Sequence, residues 1–389
     1  MKLIKKKKLT ENIFNNLFVV FVLVLIVSLL FLPSGFEKDK ILNSIKVKGE
    51  ILDVDNSNIL QLGIVKTGEQ NLKVKILKGK YKNKIFPAVN HMIGKMEFDK
   101  IFEVGDKVLI VLTINLSDNN IIEASVIDHY RISIEFILLL LFIVLLIVFA
   151  RWTGLKAIIS FIFTAVAIWK LLLPGFLHGY NPILLSLIIV IILSSIIIFL
   201  IGGLTKKGVV AFLGATTGVI MTAVLAIVFG KLFSIHGAVK PFAETLLYSG
   251  YAHLNLTQIF IAGIFIASSG AVMDIAMDIS ASQNEVVKKH PDIGEKELIS
   301  SGFSVGKAVV GTMITTLLLA YSGGFTALLM VFMAQGTPMI NILTINYVAA
   351  EILHILVGSF GLVLVAPFTA IIGGFIFVKL QNNKKPKKK

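Results

Sequence analysis

Two groups of residues in this chain could do chemistry. The first lies in the run 270–285, GAVMDIAMDISASQNE, where Asp274, Asp278 and Ser282 recur every fourth residue at the end of a long apolar stretch. At 100° per residue they share one helical face, and Gly263 and Gly270 fall on nearly the same face in the preceding turns. An ionisable group inside a bilayer costs at least ~2.5 kcal/mol and therefore faces a partner or a water-filled cavity, while glycines let a neighbouring helix come close. The chemistry this suggests is cation or proton binding. The alternative is that the helix stops near Met273 and leaves both aspartates in water as a solvated helix end. The second group is Glu351 and His354, three residues apart within VAAEILHILVGSFGLVLVAP. Glu-x-x-His can supply two metal ligands from one helix, but such sites need further ligands from other helices. An interhelical hydrogen-bond pair or a proton relay fits these two residues better, and no metal site is assigned.

The elements that must position these groups are membrane helices. Of 389 residues 56% are hydrophobic and 15% charged, and the mean hydropathy is +0.88, far more apolar than a soluble domain. The formal net charge of +14 would suggest nucleic acid in a soluble protein. Here Lys and Arg concentrate in short segments flanking apolar runs, where they act as topology signals, so no nucleic-acid partner is expected. Cysteine is absent, which rules out disulfides and thiolate metal sites. There is no HExxH, glycine-rich phosphate loop or nucleotide fingerprint, so neither a zinc protease nor an ATP-driven pump is encoded and no cofactor is expected.

In chain order, residues 1–33 read as a basic cytoplasmic tail, with Lys2 and Lys5 to Lys8, followed by a signal-anchor helix from about Leu17 to Leu32. No small-x-small site precedes Ser34, which predicts an uncleaved anchor. Residues 34–133 then read as an extracytoplasmic β-rich domain, a small barrel or sandwich of short alternating strands such as Ile45 to Ile51 and Leu72 to Ile76, punctuated at Gly79, Gly94 and Gly105-Asp106. His91 and His129 are isolated in it, with no catalytic set around them. Residues 134–379 read as a transmembrane helical bundle, and 380–389 as a basic cytoplasmic tail. The candidate spans are 134–150, 154–173, 183–201, 208–230, 256–278, 305–333 and 361–379, which with the anchor make about eight. Arg151, Lys156, Lys206, Lys207, Lys288, Lys289, Lys296, Lys307 and the terminal lysines fall on one side, while the opposite short loops hold only Lys231 and Lys240. Both termini are thereby predicted to be cytoplasmic.

Several spans carry more than an anchor needs. Gly214, Gly218 and Thr222 give the fifth span a small-residue face suited to close packing. The seventh, through Gly311, Thr312, Thr315 and Thr316 to Ser322-Gly323-Gly324 and on to Met333, is long for one helix and is either broken at its glycines or tilted and kinked. Residues 346–360 are short and polar for a crossing, which predicts an interfacial or re-entrant helix before a true span through Pro367. The segment 279–306 is expected to be the longest cytoplasmic connection, able to gate the aspartates.

The run 270–285, GTMITTLLLAYSGG at 311–324 and EILHILVGSFGLVLVAPFTA at 351–370 together resemble the YibE/F family of bacterial multi-spanning membrane proteins, over about 134–379. The β-rich segment is similar to the N-terminal part of the family's longer members. The resemblance implies a permease-like plasma-membrane protein that works with a second YibE/F-type membrane protein or as a homo-oligomer. In the family the seventh span often opens with an Arg-Asp pair and carries a central Asn. Lys307-Ala308 and Thr315 stand there in this chain, leaving Lys307 as a counter-charge for Asp274 and Asp278.

Three functional classes follow. A secondary transporter or channel component, moving a small solute or ion, would use Asp274 and Asp278 with Ser282, Glu351 and His354, and would need Gly214, Gly218, Gly263, Gly270, Gly311, Gly323 and Gly324 for packing or helix breaks. A non-transporting assembly or sensing protein would act through the exported β domain. An intramembrane enzyme would need a reactive acid–base pair, and none is expected.

Overall fold

The computed structural model describes residues 2–33, 35, 36, 44–114 and 121–382. Ser34, parts of the predicted exported domain and the basic run 383–389 lie outside the described residues. The chain divides into two compact units, one formed by Met1–Phe36 with Leu146–Lys389 and the other by Glu37–Leu145.

The smaller unit is a β-barrel. Its strands are β1 (Ser44–Asp55), β2 (Ile59–Leu62), β3 (Val65–Ile76), β4 (Ile85–Ile93), β5 (Lys107–Ile114) and β6 (Ile121–His129). The hydrogen-bonded order β1-β5-β6-β4-β3 closes on itself because β1 also pairs with β3, and β2 hangs on the outer edge of β3. All pairings are antiparallel except β4 with β6. Five strands with this connectivity make the Greek-key ring of an OB-fold. Closure bends β1 at Gly49, which pairs with both Ile76 and Val108, and any Cβ there would run into the Ile110 side chain. The alternation that marks these strands in the sequence buries Val47, Ile51, Leu72, Val74, Val108, Ile110, Leu112 and Val126 as one core.

Two polar side chains of the barrel, Gln70 and Asn90, are buried as well. Gln70 is fully buried and takes the Phe102 amide (3.1 Å) and an Asn90 amide hydrogen (3.2 Å) on its oxygen, while its nitrogen donates to the Phe102 carbonyl (2.9 Å) and Asn56 Oδ1 (2.8 Å). This pins the 94–106 loop over the end of the barrel. The two histidines lie at the barrel's surface, His91 3.1 Å from Glu69 and His129 3.8 Å from Asp106.

Partial burial opposes ionisation of Asp128, but hydrogen bonds from Lys100 and the His129 amide, with the charges of Lys100 and Arg131, outweigh it and hold the carboxyl below its usual range. A depressed carboxylate stabilises the fold above its unfolded pKa of about 3.9 and loses that contribution as pH falls through the folded value. Urea unfolding followed at barrel amides should therefore show a midpoint that drops between about pH 5 and pH 3, and Asp128→Asn should reduce that drop.

The larger unit is helical. Its elements are α1 (Lys2–Phe31), α2 (Ile132–Ala167, whose first part belongs to the barrel unit), a π-turn (Ile168–Leu172), α3 (Leu173–Leu177), α4 (Pro182–Gly202), α5 (Lys206–Leu232), α6 (Ala243–Tyr248), α7 (Leu256–Lys289), α8 (Glu295–Ala334), α9 (Met339–Thr344) and α10 (Asn346–Asn382). Seven helical runs among the described residues are long and apolar enough to cross a bilayer. The longest, Ile132–Leu177, has 46 residues, about 69 Å if straight. It is not straight. Arg151 leaves helical geometry (φ 48°, ψ −121°), and a Cβ at Gly154 would strike the carbonyl of Leu146, which lies about 12 Å away along a straight helix. The helix is sharply kinked at Arg151, between the two predicted spans.

Two expectations are corrected, and one pair of alternatives is decided. Of a seventh span broken at its glycines and a continuous one, the structure has the second: α8 runs unbroken through Ser322-Gly323-Gly324, because a gap in the helix would strand backbone groups that lipid cannot satisfy. α10 is one helix from Asn346 to Asn382, with no separate interfacial or re-entrant piece at 346–360. Nor is 279–306 a long loop: α7 continues to Lys289 and α8 begins at Glu295, so the connection is the turn around Pro291. It follows that Asp274 and Asp278 lie inside a helix, not at its end.

α7 is the most buried of the apolar helices and packs against α4, α5, α8 and α10. α5 and α10 mesh through small residues in antiparallel register. A Cβ at Gly214 would overlap Thr369, one at Gly218 would lie 2.8 Å from both Val365 and Val272, and one at Gly361 would overlap Thr222. Gln283, fully buried, donates to the carbonyls of Leu298 (3.1 Å) and Ala370 (2.9 Å), fastening α7 to α8 and α10. Ser280 donates to the carbonyl of Lys207 (2.7 Å) and ties α7 to the start of α5.

Candidate functional site

Of the ionisable residues picked out in the sequence as site candidates, Glu351 and His354 are the ones the fold buries. They lie near the start of α10, on the face that packs with Ala350, Leu353 and Val357 against α5 and α7, and are 6% and 8% exposed. Glu351 is not alone. The ammonium of Lys240, from the loop between α5 and α7, lies 3.0 Å from Glu351 Oε2. The same ammonium stands 5.6 Å from the ring centroids of Phe260 on α7 and Phe325 on α8. The ring of His354 stacks on Tyr321 of α8 at 4.3 Å, and neither of its nitrogens has a hydrogen-bond partner. Beside it opens a cavity of about 160 Å³, lined mostly by apolar side chains together with Lys240, His354, Gly237 and Gly263.

Sequence reasoning missed Lys240, Phe260, Tyr321 and Phe325. Lys240 entered only as a loop lysine counted for topology. The only signal in the sequence was its position, a basic residue beside Pro241 in the connection between two apolar runs.

The second constellation is laid out differently. Gly263 borders the His354 cavity, and Gly270, Asp274 and Asp278 continue along the same face of α7. Gly270, Asp274 and Asp278 are exposed and Ser282 is half-buried. A Cβ at Gly263 or Gly270 would meet no atom within 4 Å, and the same holds at Gly311, Gly323 and Gly324 of α8. These five glycines neither break a helix nor pack against this chain. The glycines through which α8 does pack are Gly302, close to Gln283 and Ala370, and Gly306, close to Ala366 and Ile279. Lys307 is exposed, and among the described residues no ion pair joins it to either aspartate. As a counter-charge within this chain it is corrected. The fold thus puts Glu351 and His354 together inside the bundle and leaves Asp274 and Asp278 as an open acidic strip on its flank.

Comparison with known families fits this layout. Residues 138–379 match the family model described as YibE/F-like protein, and residues 47–129 match the YibE/F family N-terminal domain. The chain belongs to the YibE/F family. The first match covers the helical bundle and the second covers the barrel of this YibE/F member. Searches of curated proteins and of solved structures find no match.

Proposed function

We propose that this YibE/F protein is a permease-type component of the bacterial plasma membrane that passes a small ion or solute. The observation that carries the reading is the Lys240–Glu351 pair, built inside an apolar helix bundle with the Glu351 side chain 8% exposed. Ion pairs buried in this way stabilise little more than apolar residues of the same size would, and charged groups at membrane depth line pathways far more often than they hold helices together. The reading assigns no catalytic step to these groups.

In this reading the chain crosses the membrane eight times, with the kink at Arg151 separating two of the crossings and with both termini in the cytoplasm and the barrel outside; the distribution of Lys and Arg supports it. Glu351 and His354 then lie toward the outer half of the bundle, and Asp274 and Asp278 toward the inner half. One face of α7 links them. Because that face is open on this chain, a second YibE/F-type subunit completes the pathway there, brought close by Gly263 and Gly270.

The test is flux of H⁺, Na⁺ or K⁺ into vesicles holding the purified protein. Flux above that of empty vesicles is expected, and Asp274→Asn is expected to abolish it without unfolding the protein. No flux of any of the three, or an unaltered Asp274→Asn variant, overturns the reading. Since the chain has no cysteine, Gly270→Cys offers a clean check on the subunit contact: oxidation in membranes should give a crosslinked product, and a chain that stays monomeric at this position leaves the α7 face uncovered.

A second reading has its own observation. Leu60, Leu62, Ile64, Ile93 and Met96 are 65–81% exposed around the free edge of β2 and form an apolar rim on the barrel. Under this reading the barrel recruits a partner protein and the bundle anchors it. Deleting 44–129 would then remove function, whereas in the permease reading flux through the bundle survives.

A further inference from the structure

Lys240 is held in the way that proteins hold a foreign ammonium. A carboxylate contacts its Nζ at 3.0 Å, and two aromatic rings stand 5.6 Å from it. Carboxylate plus ring faces is the chemistry by which sites recognise alkylammonium ions. The cage is made by α7, α8 and α10, through Phe260, Phe325 and Glu351, but the cation filling it arrives on a loop, with 36% of its side chain exposed. Glu351 by contrast is fixed inside the bundle at 8%. The cation is the part able to leave.

Next to the cage is the cavity of about 160 Å³, walled by Leu246, Leu256, Ile259 and Phe260. A space of this size takes a body as large as benzene. His354, more than nine-tenths buried, lines it with both ring nitrogens unpartnered. Buried polar atoms ordinarily find a partner, and an orphan imidazole at the wall of a cavity offers a guest one hydrogen bond. Charge, shape and the free polar atoms point the same way.

We propose that the Glu351 cage binds a small organic amine, its ammonium on Glu351 between Phe260 and Phe325 and its compact apolar body in the adjoining cavity, and that Lys240 is a tethered ammonium which occupies the cage until such a guest displaces it. The proposal rests on the permease reading only for its consequence, that the guest is cargo or a regulator; the binding itself stands apart. A tethered competitor acts at a high effective concentration, so native affinity for a free amine is low by construction. Removing the tether's charge raises it.

The experiment is equilibrium binding of n-butylammonium to the full-length protein in nanodiscs, by calorimetry and by thermal unfolding. Lys240→Met is expected to bind at least about tenfold more tightly than the native chain and to gain melting temperature on adding the amine. Adding Glu351→Gln to that variant should abolish binding, and 1-butanol should not substitute. Affinity in Lys240→Met no better than native, or equal binding of 1-butanol, overturns the proposal. If Lys240→Met does not fold, Lys240→Gln, which keeps a hydrogen-bond donor for Glu351, carries the same comparison. Amine binding without vesicle flux defeats the permease reading and leaves this site standing; flux without amine binding defeats this site alone.

Discussion

Lys240→Met, measured without added amine, is expected to lose about 3 kcal/mol of stability or more, because it leaves a carboxylate buried in the bundle without its charge partner. Glu351→Gln should cost less. Its neutral amide keeps polar contact with Lys240, and that side chain, 36% exposed against 8% for Glu351, can turn its ammonium toward water. Replacing both residues by apolar ones, Lys240→Met with Glu351→Leu, should recover most of the single-variant loss, since buried pairs exchanged whole for hydrophobic side chains are near neutral or stabilising. Denaturant titration of the native chain and these variants, with the Glu351→Leu single variant that closes the cycle with Lys240→Met, decides the matter in one detergent. A double variant whose loss is the sum of the two single losses would mean that the residues are not coupled, and the geometry at Oε2 would then carry no energy.

Gly218→Val is the second large effect. A Cβ at this position would already lie 2.8 Å from both Val272 and Val365, on two different helices. A branched side chain there must push α5 away from α7 and α10 together, at a cost of about 3 kcal/mol, the upper part of the overpacking range. Little folded protein should be recovered. Gly270→Val is the paired control, since nothing lies within 4 Å of its Cβ. It should fold as well as the native chain while weakening contact with a second subunit. Size-exclusion profiles of the two variants distinguish a glycine that serves this chain from one that serves its neighbour, and a Gly270→Val protein that aggregates like Gly218→Val would put that face inside the fold after all.

What could be read from the sequence follows from which forces act locally. Alternating strands, long apolar runs and the small-residue face of α5 are set by periodicity, and each has its counterpart in an observed element. The break, one of the two readings of the seventh span, fails for a physical reason. Glycine in a helix costs about 1 kcal/mol in water, and on that scale Ser322-Gly323-Gly324 looks like an interruption. Inside hydrocarbon an unpaired backbone group costs several times as much, so α8 continues through it. The polarity of 346–360 misled in a similar way. Glu351 and His354 made the segment look unfit to be buried, but Lys240, more than a hundred residues earlier, neutralises the one and Tyr321 stacks on the other. Contacts between distant residues of this kind leave no periodic trace. The acidic motif was legible as a motif, whereas its exposure depended on where α8 docks, which Gly302 and Gly306 decide and Gly311 does not.

The antiparallel mesh of α5 with α10 also bears on the order in which the protein can be made. Gly214, Gly218 and Thr222 are synthesised well before Thr369, Val365 and Gly361, which fill the gaps beside them and follow more than a hundred residues later in the chain. Until α10 inserts, the glycine groove of α5 is unfilled and the Gln283 amide has only the Leu298 carbonyl of α8 as an acceptor, while the barrel, complete by residue 129, has long since been able to fold. A nascent chain arrested before Asn346 is therefore a set of inserted helices with an open seam, and α10 is the clasp that closes it, a mark by which a membrane quality-control protease would tell chains that hold it from chains that lack it.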